Sequence, residues 1–597
     1  MPAAAAETPG RLRRRSLTDI VLHAPQVLRA LVRAEELWLI ALAGIVGILG
    51  GLCVVAMTLT THTAHRWLFK LGPHERLSGQ SEVPIISALL VPTIGGLIVG
   101  ATIWALARWW PRRAVDPIEA NALYGGRMSV TDSLVVVGQT MLSNGAGASV
   151  GLEAGYTQIA SAIASRIGRL FRVRRNDLRV LVGCGAAGAI AAAFNAPLTG
   201  AFYAFELVIG TYSLATLAPV MVASLAAVSM VRWLIPEEYV FDIRVPTAIE
   251  PGAYPALLLL GVACAFGGIL IMRGVTLTEA GFRRSGVPTW LRPAIGGLVV
   301  GLLALISPQV LSAGHAALQV SLDAPYSLGH IFVLMILKAV ASAVSLGSGF
   351  RGGLFFASLF LGALLGKLYA AALVATAIGP AIPTVICAVV GMSALAVAIV
   401  GGPLTMAFLS LETTGSLPLT VAVVAASVIS SITVRRTFGY SFATWRFHLR
   451  GEAIRSAVDI GWMRNLTVGR MMRREPRTLR IDTPIAAFRR DVPLGSVDRV
   501  VAVDAQGRYV GMILVAEAHA MANAITLASL LHNEADTLTP QMTIKDAVST
   551  FEAAEADALA VVDGPESRKV IGLLTEQYAL RRYSEELDRR RRDLSGE

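Results

Sequence analysis

The chain has 597 residues, 54% of them apolar and only 16% charged, with a mean hydropathy of +0.61 and a formal net charge of +11. Soluble chains carry about 25% charged residues, so a wholly soluble protein is excluded. The positive charge does not point to nucleic acid, because its arginines gather at 108–113, 166–175, 283–284 and 435–450, each beside an apolar segment.

In chain order, residues 1–35 are basic and contain an amphipathic stretch at 17–34. No small-residue cleavage site follows Arg11-Leu12-Arg13-Arg14-Arg15, so this segment is read as an N-terminal cytoplasmic piece with an amphipathic helix rather than a cleaved leader. From 36 to 451 the chain is a series of apolar runs. Those at 37–60, 83–106, 256–272, 291–306 and 331–344 are near the roughly 20 residues a bilayer span needs. Shorter runs, broken by Gly and Pro, lie at 135–151, 180–194, 197–208, 352–368, 383–400 and 403–411. Such pieces suit helices that end inside the membrane, which is tolerated only where freed backbone lines a cavity. Basic residues beside spans mark the cytoplasmic side. Both termini and the four basic loops are therefore expected there, with the loops at 65–76 and 236–242 outside. Cys53, Cys184, Cys264 and Cys387 all lie in apolar segments without metal or disulfide spacing, and read as small core residues.

The apolar region repeats itself. Ser143-x-Gly145-x-Gly147-x-x-x-Gly151 returns as Ser345-x-Gly347-x-Gly349-x-x-x-Gly353, 202 residues later. Pro197-Leu198-Thr199-Gly200-Ala201-Phe202 with Glu206 returns as Pro403-Leu404-Thr405-Met406-Ala407-Phe408 with Glu412, 206 residues later. A duplicated domain with broken helices is a known transporter plan, with the site at the repeat interface.

An anion leaving water needs fixed dipoles in place of its hydration shell. Glycine-rich backbone and helix N-termini supply N–H groups without a trapping charge, and each repeated glycine segment precedes a helical run. Glu153 stands just after the first of them. A membrane acid at a helix start marks an ion path or proton site; the plainer alternative is an acid that only steadies the helix dipole.

These residues resemble the CLC chloride channel and transporter family from about 37 to 451. Gly151-Leu152-Glu153-Ala154-Gly155 is similar to that family's Gly-Arg-Glu-Gly-Pro, Gly352-Gly353-Leu354-Phe355 to its Gly-Gly-Ile-Phe, and Asn195-Ala196-Pro197-Leu198 matches its Asn-Ala-Pro-Leu unaltered. The resemblance implies an all-α membrane domain of inverted repeats with broken helices, and a homodimer with one pathway per subunit. It implies Glu153 as the gating glutamate, and Gly151, Gly353, Leu354, Phe355, Ala114 and Ala443 as positions around the anion. Two departures bear on mechanism. The family's ion-loop serine falls on Ala114 and its inner tyrosine on Ala443, which removes two hydroxyl donors. The inner proton glutamate falls on Leu207, beside Glu206, so Glu206 is a candidate for a proton path or a structural acid. The expected function is transport of chloride or a similar anion, channel-like, with a proton-coupled antiporter as the alternative.

After Gly451 the composition turns soluble, with strand-like stretches at 499–503 and 558–562. It resembles an α/β pair of CBS domains, at 466–525 and 526–585, followed by a charged tail at 586–597. Such pairs bind adenine nucleotide through a hydroxyl and an acid; here Thr575 and Glu576 stand at those places. A CBS-regulated divalent cation carrier would need several carboxylates facing one cavity, and the membrane acids are scattered. No nucleophile–base pair, phosphate loop or metal cluster points to an enzyme, and no metal is expected. The expected setting is a multi-pass protein of a bacterial inner or plasma membrane.

Overall fold

A computed structural model of the chain describes residues 36–73, 75–112, 114–235, 243, 249–323, 326–376, 382–439, 467–520, 526–564 and 566–582. The amphipathic stretch at 17–34, the loop at 236–242, Ala443 and the tail at 586–597 lie outside the described residues. Contacts divide the chain into two units at 458/459.

Among the described residues, the first unit is two runs of eight α-helices. The first run comprises α1 (Glu36–Phe69), α2 (Ile85–Trp109), α3 (Pro117–Leu123), α4 (Val130–Gly145), α5 (Glu153–Leu170), α6 (Arg175–Phe194), α7 (Pro197–Tyr203) and α8 (Leu214–Leu234). The second repeats that order of long and short: α9 (Tyr254–Arg284), α10 (Arg292–Ile306), α11 (His315–Asp323), α12 (Leu328–Ser348), α13 (Phe355–Thr376), α14 (Thr384–Val400), α15 (Pro403–Thr414) and α16 (Leu417–Thr437). Among the described residues, eight helices are long and apolar enough to cross a membrane.

The duplication extends to how helices start and stop. Ser129 caps α4 and Ser327 caps α12, while Ser213 caps α8 and Ser416 caps α16. Each hydroxyl accepts an N–H that the first turn would leave unpaired. Asn195, at φ 53°, ends α6, and Gly401 and Gly402, at φ 90° and 75°, end the equivalent α14. In both halves a proline at the first helical position then opens the next short helix, α7 or α15, where its missing N–H costs nothing.

Small residues let these helices touch through their backbones. Gly96 and Gly100 of α2 lie against the backbone at Pro293 and Trp290, while Gly297 and Gly301 of α10 lie against Pro92 and Ala88. The largest apolar cluster joins the two halves, packing Ile190 and Phe194 with Phe355, Phe356 and Phe360. Cys184, Cys264 and Cys387 are buried as free thiols, and Cys53 is half-buried.

Two features differ from the sequence reading. Helix α1 continues through residues assigned to a loop, because His65 is buried and its Nε2 lies 2.8 Å from the Asn144 carbonyl oxygen. Helices α8 and α16 were not among the apolar runs, although each has a mean hydropathy of 2.1.

The second unit contains α17 (Val468–Met471), β1 (Arg473–Arg474), β2 (Thr478–Arg480), α18 (Ile485–Asp491), β3 (Arg499–Val503), β4 (Tyr509–Leu514), α19 (Val515–Ala520), α20 (Ile544–Ala554), β5 (Ala558–Val562) and β6 (Val570–Thr575). Its strands form two sheets, ordered β2-β3-β4 and β1-β6-β5. The halves exchange elements: β1 pairs antiparallel with β6, and Met512 of β4 bridges His532.

Candidate functional site

The two repeated glycine segments meet. Gly151 donates its N–H to the Gly353 carbonyl at 2.9 Å, and Gly353 returns the bond to Gly151 at 3.1 Å, in an antiparallel bridge. Each glycine stands two residues before a helix, α5 at Glu153 or α13 at Phe355. Helix starts leave amide N–H groups without partners and carry the positive end of the dipole. Two such ends, one from each half, are thus joined at one point inside the bundle.

They border a cavity of about 630 Å³ whose lining includes Ala114, Glu153, Tyr203, Gly353, Leu354 and Phe355. Gly151 stands behind Gly353 in the bridge. The structure therefore gathers every described anion-site residue expected from the sequence around Glu153. Ala114 is held in the wall by its neighbours: Gln158 donates to the Val115 carbonyl at 2.8 Å, and Asp116 caps α3 by accepting from Ile118 N at 2.8 Å.

Glu153 is 4% exposed; neither carboxylate oxygen makes a hydrogen bond of full geometry, and the backbone amides of Glu153 and Phe356, at the starts of α5 and α13, are the donors that bear on it. Its side chain folds back over the bridged glycines. A Cβ added at Gly151 would overlap the carboxylate, and one at Gly353 would lie 3.3 Å from Oε2. The glycines leave the room that the carboxylate fills. A buried carboxylate with no side-chain or cationic partner is costly and is uncommon outside functional sites.

Glu206 and Glu412 are arranged differently. Glu206 accepts Leu404 N at 3.0 Å, Thr405 N at 2.8 Å and Thr405 Oγ1 at 2.6 Å. Glu412 accepts Leu198 N at 2.8 Å, Thr199 N at 2.9 Å and Thr199 Oγ1 at 2.7 Å. Each acid thus caps the short helix of the opposite half, tying α7 to α15. Three donors per carboxylate favour the structural role for Glu206. Leu207 lies beside it in the π-helical turn that follows α7.

Three groups escaped the sequence reading. Tyr203 and Thr157 place hydroxyls in the wall of the Glu153 cavity, and the Tyr203 ring lies 6.2 Å from that of Phe355. Lys338 is fully buried, donating to the carbonyls of Val310 at 3.0 Å and Ser312 at 2.7 Å. A lysine within an apolar run was a visible signal for the last; the other two look like ordinary helix residues. In the second unit, Thr575 ends β6 exposed, opposite Ala558, and Glu576 N donates to the Asp557 carbonyl at 2.9 Å. No group of three or more metal-binding side chains occurs among the described residues.

A helical membrane bundle built from two halves, with broken helices converging on one buried acid, has the plan of a transporter or channel. The comparisons give its family. The family model described as voltage gated chloride channel matches residues 99–435, and the CBS domain model matches 528–585. A ClcB-like protein of Ralstonia nicotianae is 34% identical over 405 residues, covering 67% of this chain and 94% of the relative. The voltage-gated ClC-type chloride channel ClcB of Escherichia coli is 29% identical over 409 residues, covering 66% and 95%. Among solved structures, a slow cyanobacterial Cl−/H+ antiporter superposes with TM-score 0.59 at 19% identity, covering 69% of this chain and 97% of its own. A eukaryotic CLC transporter superposes with TM-score 0.58 at 18% identity, covering 93% and 98%. The chain belongs to the voltage-gated chloride channel (CLC) family, as a multi-pass membrane protein with a C-terminal CBS domain.

Proposed function

We propose that the chain carries chloride, or a similar small anion, along a pathway closed by Glu153. The observation that carries this reading is the buried Glu153 carboxylate lying over the Gly151–Gly353 bridge, beside the backbone amides of Glu153 and Phe356. An ionised Glu153 occupies the place an anion would take between the starts of α5 and α13. Protonation removes its charge, and an incoming anion competes for the same positive helix ends. Either event frees the position.

Passive, channel-like conduction is the favoured form. Proton exchange through the inner side would need a second titrating acid there, and this chain has Leu207 at that place while Glu206 is engaged as a cap. The test is chloride flux into proteoliposomes with and without a pH gradient. Dissipative flux indifferent to the proton gradient supports the channel; uphill proton movement driven by chloride would establish the antiporter instead.

The hydroxyls missing at Ala114 and Ala443 are replaced, in this reading, by that of Tyr203, which lines the same cavity as Ala114, with Thr157 beside it. A hydrogen bond to a charged group contributes roughly 1.5–3 kcal/mol. Tyr203→Phe, which deletes one oxygen, is therefore expected to weaken chloride binding about tenfold or more by calorimetry. Unchanged affinity would remove Tyr203 from the site; no chloride binding by the unaltered protein would remove the whole reading.

Pairing of two such chains, each with its own pathway, and cytoplasmic placement of the basic loops belong to the same proposal. The geometry at Thr575 and Glu576 adds no support for an adenine nucleotide, which is left out of it.

A further inference from the structure

The two glycine segments are held by matched bonds. Ser345 Oγ of α12 accepts Ser149 N at 3.0 Å, and Ser143 Oγ of α4 accepts Arg351 N at 3.0 Å. Both the two serines and the two donors are 202 residues apart, so each half braces the other's segment in the same way. The duplication accounts for these bonds. It does not account for a second set on the Glu153 side.

That set starts at Lys338 of α12, whose buried Nζ donates to the carbonyls of Val310 at 3.0 Å and Ser312 at 2.7 Å. An ionisable side chain buried in a membrane bundle is costly and by default marks a functional region. Its acceptors belong to the bend that leads into α11, where Ser312 is held at φ 56°. A serine keeps that left-handed conformation only where its surroundings impose it.

So clamped, Ser312 reaches the first glycine segment at two points. Its N–H donates to the Gly147 carbonyl at 3.2 Å, and its Oγ accepts Asn144 Nδ2 at 3.2 Å. Asn144 Nδ2 also donates to the carbonyl of Val150 at 2.6 Å, the residue before the bridged Gly151. A line of hydrogen bonds therefore runs from Lys338 to the threshold of the Glu153 turn. In the other half, Val136 and Leu346 stand 202 residues from Lys338 and Asn144, and neither side chain can hydrogen-bond. The extra bracing serves the half that carries the acid.

We propose that Lys338 is a positioning residue for Glu153: through Ser312 and Asn144 it fixes the segment that carries the acid and so keeps the carboxylate over the bridge. The inference rests on the reading of Glu153 as the group that holds the anion's place. A tethered competitor fills a site more completely the more rigidly its tether is held. A diffusing anion has no such tether and also meets the start of α13 from the other half. Loosening the Glu153 segment therefore weakens the carboxylate more than it weakens the anion.

The test measures chloride flux into proteoliposomes per amount of folded protein, at neutral and at acid pH, for Lys338→Met, Glu153→Ala and the two combined. Methionine keeps a long apolar chain in the buried site and removes the donors. Lys338→Met should raise flux at neutral pH about threefold, the size of one hydrogen bond's net contribution. It should leave flux at acid pH unchanged, where the protonated acid no longer blocks, and add nothing once Glu153 is replaced. Ser312→Ala deletes the hydroxyl that meets Asn144 while leaving the Lys338 clamp on the backbone. It should move neutral-pH flux in the same direction, and it decides the matter if Lys338→Met does not fold. A lowered melting temperature with unchanged neutral-pH flux would reduce Lys338 to a structural anchor and overturn the inference, as would an equal rise in the Glu153→Ala background. Should Glu153→Ala by itself conduct as the unaltered protein does, the reading of Glu153 falls, and this inference with it.

Discussion

Glu153→Ala is expected to raise chloride flux in proteoliposomes about tenfold near neutral pH and to abolish its dependence on pH. In the unaltered protein an ionised Glu153 holds the anion's place, so flux should climb as pH falls and the acid takes up a proton. Without the carboxylate there is nothing to titrate at that position. The tenfold figure corresponds to about 1.4 kcal/mol, within the range for a carboxylate at a helix start in a partly buried setting. Glu153→Gln should behave the same way, since the amide mimics the protonated acid. A variant that keeps the normal pH profile would show that Glu153 is only a dipole partner.

The second large effect is on stability. Glu412→Ala strips the acceptor from Leu198 N, Thr199 N and Thr199 Oγ1 at the junction of the two halves. Leaving part-buried donors unpaired costs about 1 kcal/mol each, the low end of the range for buried groups, so a loss of about 2–3 kcal/mol is expected, read as a clear drop in melting temperature in detergent. Glu206→Ala should fall in the same direction by somewhat less, because it removes the matching set at Leu404 and Thr405, of which the Leu404 contact is exposed. Its flux, corrected for the amount of folded protein, should respond to pH as the unaltered protein does. Normal stability with lost proton sensitivity in Glu206→Ala would restore that residue to a proton route.

These expectations mark where sequence was legible and where it was not. The Gly151 and Gly353 segments could be paired on paper because duplication repeats a pattern at a nearly constant offset, and glycine at both places leaves room for the Glu153 side chain over the bridge. Glu153 was legible because an acid in an apolar run needs a reason to be there. The crossed caps were not. Glu206 finds its donors 198 and 199 residues away, and Glu412 finds its own at 213 and 214; only the folded repeat brings them together. Tyr203 is an aromatic residue at the end of a short apolar helix, and nothing in its sequence neighbourhood distinguishes a packed ring from one whose hydroxyl borders a cavity. That Ala114 brings no hydroxyl is plain from the sequence, whereas the Tyr203 hydroxyl proposed in its stead comes from another helix that only the folded chain brings to the same cavity. In the second unit, β3 and β5 were evident as apolar runs, whereas the pairing of the two-residue strand β1 with β6 depends on the halves packing together.

The central claim is that the Glu153 carboxylate occupies an anion's position over the Gly151–Gly353 bridge. Crystals of Glu153→Gln grown in bromide would test it most directly, by anomalous scattering. A bromide peak where the carboxylate now lies, within hydrogen-bonding reach of the amides at the start of α13, is the predicted result. A well-ordered site with no peak there, and bromide bound only elsewhere in the protein, would contradict it.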